Sequence, residues 1–160
     1  IIPHPPNFTP ILGMAIMTPI LFRKKILSIL VLISSMFISD IFLGFHSYQI
    51  VTYGTIIAIT LFAPITQNYI KILFVAVAGS ICFFITTNFA VWIMWDYYPN
   101  TLEGLIMCYT MAIPFFQNTV LSTIVYTALM VSLTVALTRP LQNTYILVIN
   151  KGKSYANKYF

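Results

Sequence analysis

The stretch ILFVAVAGSICFFITTNFAVWIMW, residues 72–95, runs for 24 residues without a formal charge. As a helix it reaches about 36 Å, longer than the ~30 Å hydrocarbon core of a bilayer. The rest of the chain has the same character. Mean hydropathy is +0.92, 59% of residues are hydrophobic and 7% are charged. A soluble domain carries about a quarter charged residues. The sequence therefore reads as an integral membrane protein, and at 160 residues as one domain.

On the N-terminal side, IIPHPPNFTP (residues 1–10) holds too many prolines for a helix and should enter extended. Residues 11–22 form a short apolar stretch interrupted by Pro19 and stopped by Arg23, Lys24 and Lys25. Residues 26–44 make a second segment with Asp40 near its far end, 45–49 a turn, and 50–66 a third segment. On the C-terminal side, DYYPNTLE (96–103) carries the other two acids, Asp96 and Glu103. Residues 104–138 are then apolar for 35 positions. As one helix they would reach about 52 Å, too long for a single crossing. Pro114 with Gln117 and Asn118 should divide them into a short helix, 102–113, and a full-length one, 118–138. The expected fold is an all-α membrane bundle of about five crossings with a short re-entrant helix at 102–113. Residues 1–138 form the transmembrane domain and 139–160 a basic tail.

Charge sets the expected orientation. If 102–113 dips into the membrane and returns, all eight bases fall on one face and the three acids fall near the other. A full crossing by 102–113 would destroy that asymmetry. The positive-inside rule favours the first arrangement, with the basic loops and C-terminus on the cytoplasmic or matrix side. Isoleucine (25) outnumbers leucine (16) and alanine (10), a bias typical of an AT-rich genome. The expected location is thus a bacterial or mitochondrial inner membrane.

Few polar groups could carry chemistry. Asp40 is costly in an apolar helix unless it is interfacial or lines a cavity, where His46 could hydrogen-bond it. Asn88 needs partners, either a neighbouring helix or a ligand. Trp92, Trp95, Tyr97 and Tyr98 form either an interfacial belt or the floor of a pocket for a ring-bearing molecule. Cys82 and Cys108 read as small buried hydrophobes. His4 has no second metal ligand at a defined spacing. No phosphate-binding glycine loop, zinc-protease signature or nucleophile elbow is present. The chain thus reads as neither an enzyme nor a metal or cofactor protein. Its bases sit at segment ends, as topology requires, so nucleic acid is not an expected partner.

Five strings carry a resemblance: PHPPNFTPI (3–11), SDIFLGFHS (39–47), TNFAVW (87–92), PNTLEGLIMCY (99–109) and AIPFFQNT (112–119). Together, across about residues 3–138, they resemble an uncharacterised bacterial membrane family, a domain of unknown function in which PHPPNFTP follows an N-terminal hydrophobic helix. That family is in turn similar, more distantly, to the six-helix substrate-binding (S) components of energy-coupling-factor vitamin transporters. The likeness implies one more helix upstream of Ile1. It also implies a solute pocket on the non-cytoplasmic side, where Asp40, His46, Asn88, Trp92 and Glu103 would gather. The chain departs from S components in showing only Gly13 and Ala15 of their small-residue docking motif, and in its C-terminal tail.

Two functions follow. The first is a non-catalytic accessory subunit of a larger inner-membrane complex, in contact with lipids and other membrane subunits. The tail would dock on a partner through Tyr145, Leu147 and Ile149, since LQNTYILVIN (141–150) has strand-like β-branched content and an apolar run that an edge strand or a groove on a partner would bury. The alternative is an S-component-like transporter subunit that binds a small solute.

Overall fold

The computed structural model describes the backbone over residues 5–45 and 47–159, with side chains through Thr138. It contains α1 (Ile11–Phe22), α2 (Lys25–Leu43), α3 (Gln49–Phe62), α4 (Tyr69–Met94) and α5 (Leu102–Tyr159), and no strand among the described residues. Two compact units divide the chain after Thr127. The second consists of the C-terminal part of α5.

Local chemistry sets the helix ends. Arg23 adopts φ 56° and returns its N–H to the Pro19 carbonyl, closing α1. Gly44, at φ 94°, closes α2 in a region that favours glycine. Pro64 holds Ala63 extended (φ −58°, ψ 126°) and stops α3. Asn68 caps α4, its Oδ1 accepting from the Lys71 N–H at 3.1 Å. Thr101 Oγ1 accepts from the Gly104 N–H at 3.2 Å at the start of α5.

In the first unit, α1 packs against α2, α3 and α4, and seven of its twelve residues are buried. Small side chains make this close approach feasible. Ala15, Ser28, Thr60, Ala63, Ala76 and Ser80 have no exposed surface. A Cβ on Gly13 would lie 3.1 Å from Tyr126 Cβ, and one on Gly79 would lie 3.4 Å from Ile59 Cγ2. Nearly every buried hydroxyl is satisfied within its own helix. Thr18, Ser28, Thr55, Thr60, Ser80, Thr87, Thr119 and Thr123 each donate to the carbonyl four residues back. Thr127 Oγ1 is the exception, buried with no partner.

Three helices are long and apolar enough to cross a membrane: Lys25–Leu43, Tyr69–Met94 and Leu102–Thr138. The apolar helices α1 and α3 have 12 and 14 residues. They reach only about 18 and 21 Å, short of the ~30 Å hydrocarbon core.

Two expectations are corrected. Residues 102–113 are not a separate re-entrant helix, because α5 continues through Pro114, Gln117 and Asn118. A proline inside a helix costs about 3 kcal/mol. Here the buried face explains why the helix tolerates it. Gly104, Cys108, Ala112, Thr119, Thr123 and Thr127 are buried at steps of four or seven, so they form one stripe across the proline. A break at Pro114 would turn half of that stripe away from its neighbours. The tail at 141–150 is also helical and not strand-like. A strand needs a partner for its backbone groups, whereas extending an existing helix satisfies them locally. The side chains of Tyr145, Leu147 and Ile149 lie outside the described residues.

Candidate functional site: a cavity beside the C-terminal half of α4

Above the small-residue contacts, the helices of the first unit separate around a cavity of about 610 Å³. That volume falls within the roughly 300–1,000 Å³ of small-molecule sites. One wall is α4, through Phe83, Phe84, Thr87, Asn88 and Val91, continued by Trp95. The facing wall is α5, through Cys108, Met111, Ala112, Phe115, Phe116 and Thr119. Tyr48 and Thr52 at the start of α3, Tyr98 from the α4–α5 turn, and Pro6 and Asn7 complete the lining.

Bulky rings keep the walls apart while a few bonds tie them together. The Phe84 ring lies 5.5 Å from Tyr109 and 4.5 Å from Phe116. From α5, the Tyr109 hydroxyl donates to the Ile85 carbonyl at 2.6 Å and Cys108 Sγ to the Asn88 carbonyl at 3.5 Å. The N-terminal segment is held by Asn118 Nδ2, which donates to the Pro6 carbonyl at 3.0 Å. Ser122 Oγ donates to the Asn7 carbonyl at 3.5 Å, and the Phe8 ring meets Tyr126 at a tilt, 6.0 Å between centroids. Asn7 takes φ 61°, a conformation asparagine tolerates better than most residues.

At the other end, Trp95 meets Tyr48 edge-on at 5.1 Å and Tyr97 at 4.9 Å, and its Nε1 donates to Ser47 Oγ at 3.1 Å. Burial pushes the Tyr48 phenol above its ordinary pKa, so it stays neutral well beyond physiological pH. The α4–α5 turn closes this end. Trp92 Nε1 donates to the Pro99 carbonyl at 3.0 Å. A Cβ on Gly104 would overlap the Pro99 carbonyl oxygen and lie 2.9 Å from its carbon, so only glycine fits.

Of the four described residues among the five expected to gather in a pocket, Asn88 alone lines this one. Its Nδ2 donates to the Phe84 carbonyl at 2.8 Å within its own helix. Asp40 is half-buried between α2 and α3, accepting from Gln49 Nε2 at 2.7 Å and from the Tyr53 hydroxyl. Trp92 packs on Phe89 behind the wall, and Glu103 is exposed in the first turn of α5. His46 lies outside the described residues. Of the cysteines, Cys108 is buried and Cys82 is exposed. Sequence reasoning missed Asn7, Tyr48 and the phenylalanines. Trp95 and Tyr98 belonged to the aromatic cluster already noted, and Asn7 to the PHPPNFTP string.

The sequence profile of a family of unknown function, DUF6580, matches residues 1–144. The chain belongs to DUF6580. No curated protein and no solved structure matches it. Most of this DUF6580 chain, including every described residue that lines the cavity, falls within the family match.

Proposed function

We propose that this protein is a non-catalytic integral membrane protein that captures a small solute in the cavity between α4 and α5, in the manner of an S component. The cavity itself carries the reading. A volume of about 610 Å³, walled by aromatic rings and a few amides and hydroxyls, has the make-up of a ligand pocket. The same function is what the S-component resemblance of the sequence strings would imply. Membrane residence is supported by the three long apolar helices and by large apolar side chains on their outer faces, such as Ile26, Phe42, Ile70 and Phe74, all more than 70% exposed. Water would not favour so much apolar surface.

The positive-inside rule orients the protein with Arg23, Lys24, Lys25, Lys71 and the basic tail on the cytoplasmic or matrix side. The end of the cavity bounded by Tyr48 and Tyr98 then lies towards the other face. Single cysteines at Lys24, Lys71 and Lys153 should react with an impermeant thiol reagent from one side only, and cysteines at Tyr48 and Asn100 from the other. Reaction of position 24 from the same side as position 100 would reverse the reading.

The accessory-subunit reading has its own support. Only Ser28 and Leu32 are buried among the 19 residues of α2, which leaves a long face for lipid or for another membrane subunit. Purification from native membranes followed by mass spectrometry separates the two: a transport energising module supports solute capture, a respiratory or other complex supports the subunit reading.

A further inference from the structure

The cavity wall is notable for what chemistry it offers. Among the described residues that line it there is no aspartate, glutamate, lysine, arginine or histidine. Asp40, on the neighbouring pair α2 and α3, is already engaged by Gln49 and Tyr53. Asp96 and Glu103 are exposed to the outside. An ionic solute in this space would lose water without gaining a counter-ion from the described lining residues, a large penalty in a weakly polar surround.

What the wall does offer is flat apolar surface with a few neutral hydrogen-bonding groups. Phe83, Phe115, Tyr48 and Trp95 supply rings. The Asn88 amide spends one Nδ2 proton on Phe84, and among the described residues its Oδ1 accepts no hydrogen bond. That leaves a donor and an acceptor side by side, the pattern that pairs with a carboxamide, lactam or heteroaromatic N–H edge. Thr87 and Thr52 do not compete, because their hydroxyls donate to the backbone of Phe83 and Tyr48.

Resting on the reading of this cavity as a ligand site, we propose that its ligand is an uncharged, planar, ring-bearing solute whose amide-like edge is held by Asn88 and whose ring lies among the aromatic walls. The cavity thereby discriminates against anions and cations of the same shape.

The test uses the protein in lipid nanodiscs with a matched trio of probes: 2-naphthamide, 2-naphthoate and 2-naphthylmethylammonium. The chain has two tryptophans, so Trp92→Phe leaves Trp95 as the sole reporter in the cavity wall, with empty nanodiscs correcting for partition into lipid. The amide should quench Trp95 and raise the melting temperature, binding at least about tenfold tighter than either ion, a gap of about 1.4 kcal/mol. Asn88→Leu should weaken the amide about tenfold, the loss of one good hydrogen bond in a buried site. Ala112→Phe, which fills the cavity, should abolish binding, and either variant serves if the other fails to fold. Equal or tighter binding of an ion overturns the neutral-ligand proposal while the cavity remains a ligand site. Amide binding unchanged in both variants overturns it by placing the solute elsewhere. No response to any of the three probes at millimolar concentration overturns the solute-capture reading itself.

Discussion

The two halves of α4 have similar apolar content and opposite packing. From Ile72 to Ser80, buried positions are small or aliphatic (Ile72, Ala76, Gly79, Ser80), and the helix closes directly on α1 and α3. From Phe83 to Trp95 the same helix presents Phe83, Phe84, Asn88 and Trp95 to a cavity. Both halves bury small residues, Thr87 and Ala90 in the second, and what distinguishes them is the set of rings that the second half presents to the cavity. Small residues let backbones meet and gain dispersion contacts along their length. Rings that lock against one another across a helix pair, as Phe84 does with Tyr109 and Phe116, set a minimum spacing and leave room between them.

The largest test of this contrast lies at the closed end of the cavity. Gly104→Val must displace the Pro99 carbonyl, which is backbone and also the acceptor for Trp92. A loss of about 3 kcal/mol or more is expected, as for overpacking against an immovable neighbour. Thermal unfolding in detergent would show it, and an unchanged midpoint would mean the turn is not what frames the cavity. Next comes Gly13→Ala, whose Cβ would sit 3.1 Å from Tyr126 Cβ and 3.3 Å from the Thr127 backbone nitrogen. About 1–3 kcal/mol of destabilisation should follow.

The smallest effects divide the halves most cleanly. Gly79→Ala meets only Ile59 Cγ2 at 3.4 Å, and the ~1 kcal/mol gain in helix propensity should offset that contact. Ala112→Leu points extra methylenes into open volume, so its melting point should hold or rise. If Ala112→Leu destabilised the protein more than Gly79→Ala, the cavity half would be the tightly packed one and the contrast would be inverted.

Much of the fold was legible in the sequence for reasons that operate locally. Residues 11–22 coincide with α1, and the remaining apolar segments before Trp95 fall within four residues of α2, α3 and α4, because Arg23, Gly44, Pro64 and Asn68 punctuate them. The misreading at Pro114 has a different origin. A proline was weighed for its local cost, whereas the buried stripe from Gly104 to Thr127 depends on contacts with α1 and α4 that no window of sequence contains. The tail was misread similarly, from β-branched content, which is a weak preference without a partner strand. The site was legible only in part. Asn88 stood out as an amide in an apolar helix, and Trp95 as one of an aromatic group. Asp40 stood out more, yet its demand is met by Gln49 and Tyr53 from the next helix. A costly residue marks a place where partners are required, and those partners can be side chains as readily as a ligand.

The habit of buried hydroxyls donating to their own helix has a consequence for how the protein is made. On the membrane reading, most buried serines and threonines leave the translocation machinery already paired within their own helix, whereas Thr127 stays unpaired and Asp40 of α2 waits for Gln49 and Tyr53 of α3. Assembly can then follow synthesis order, with α1 to α4 docking through small residues before α5 arrives. The last helix brings further groups that reach another segment: Tyr109 to the Ile85 carbonyl, Asn118 to the Pro6 carbonyl, and Ser122, which is shared between Thr119 of its own helix and Asn7. On that order of assembly the α4–α5 wall of the cavity is the final seam to close in biogenesis.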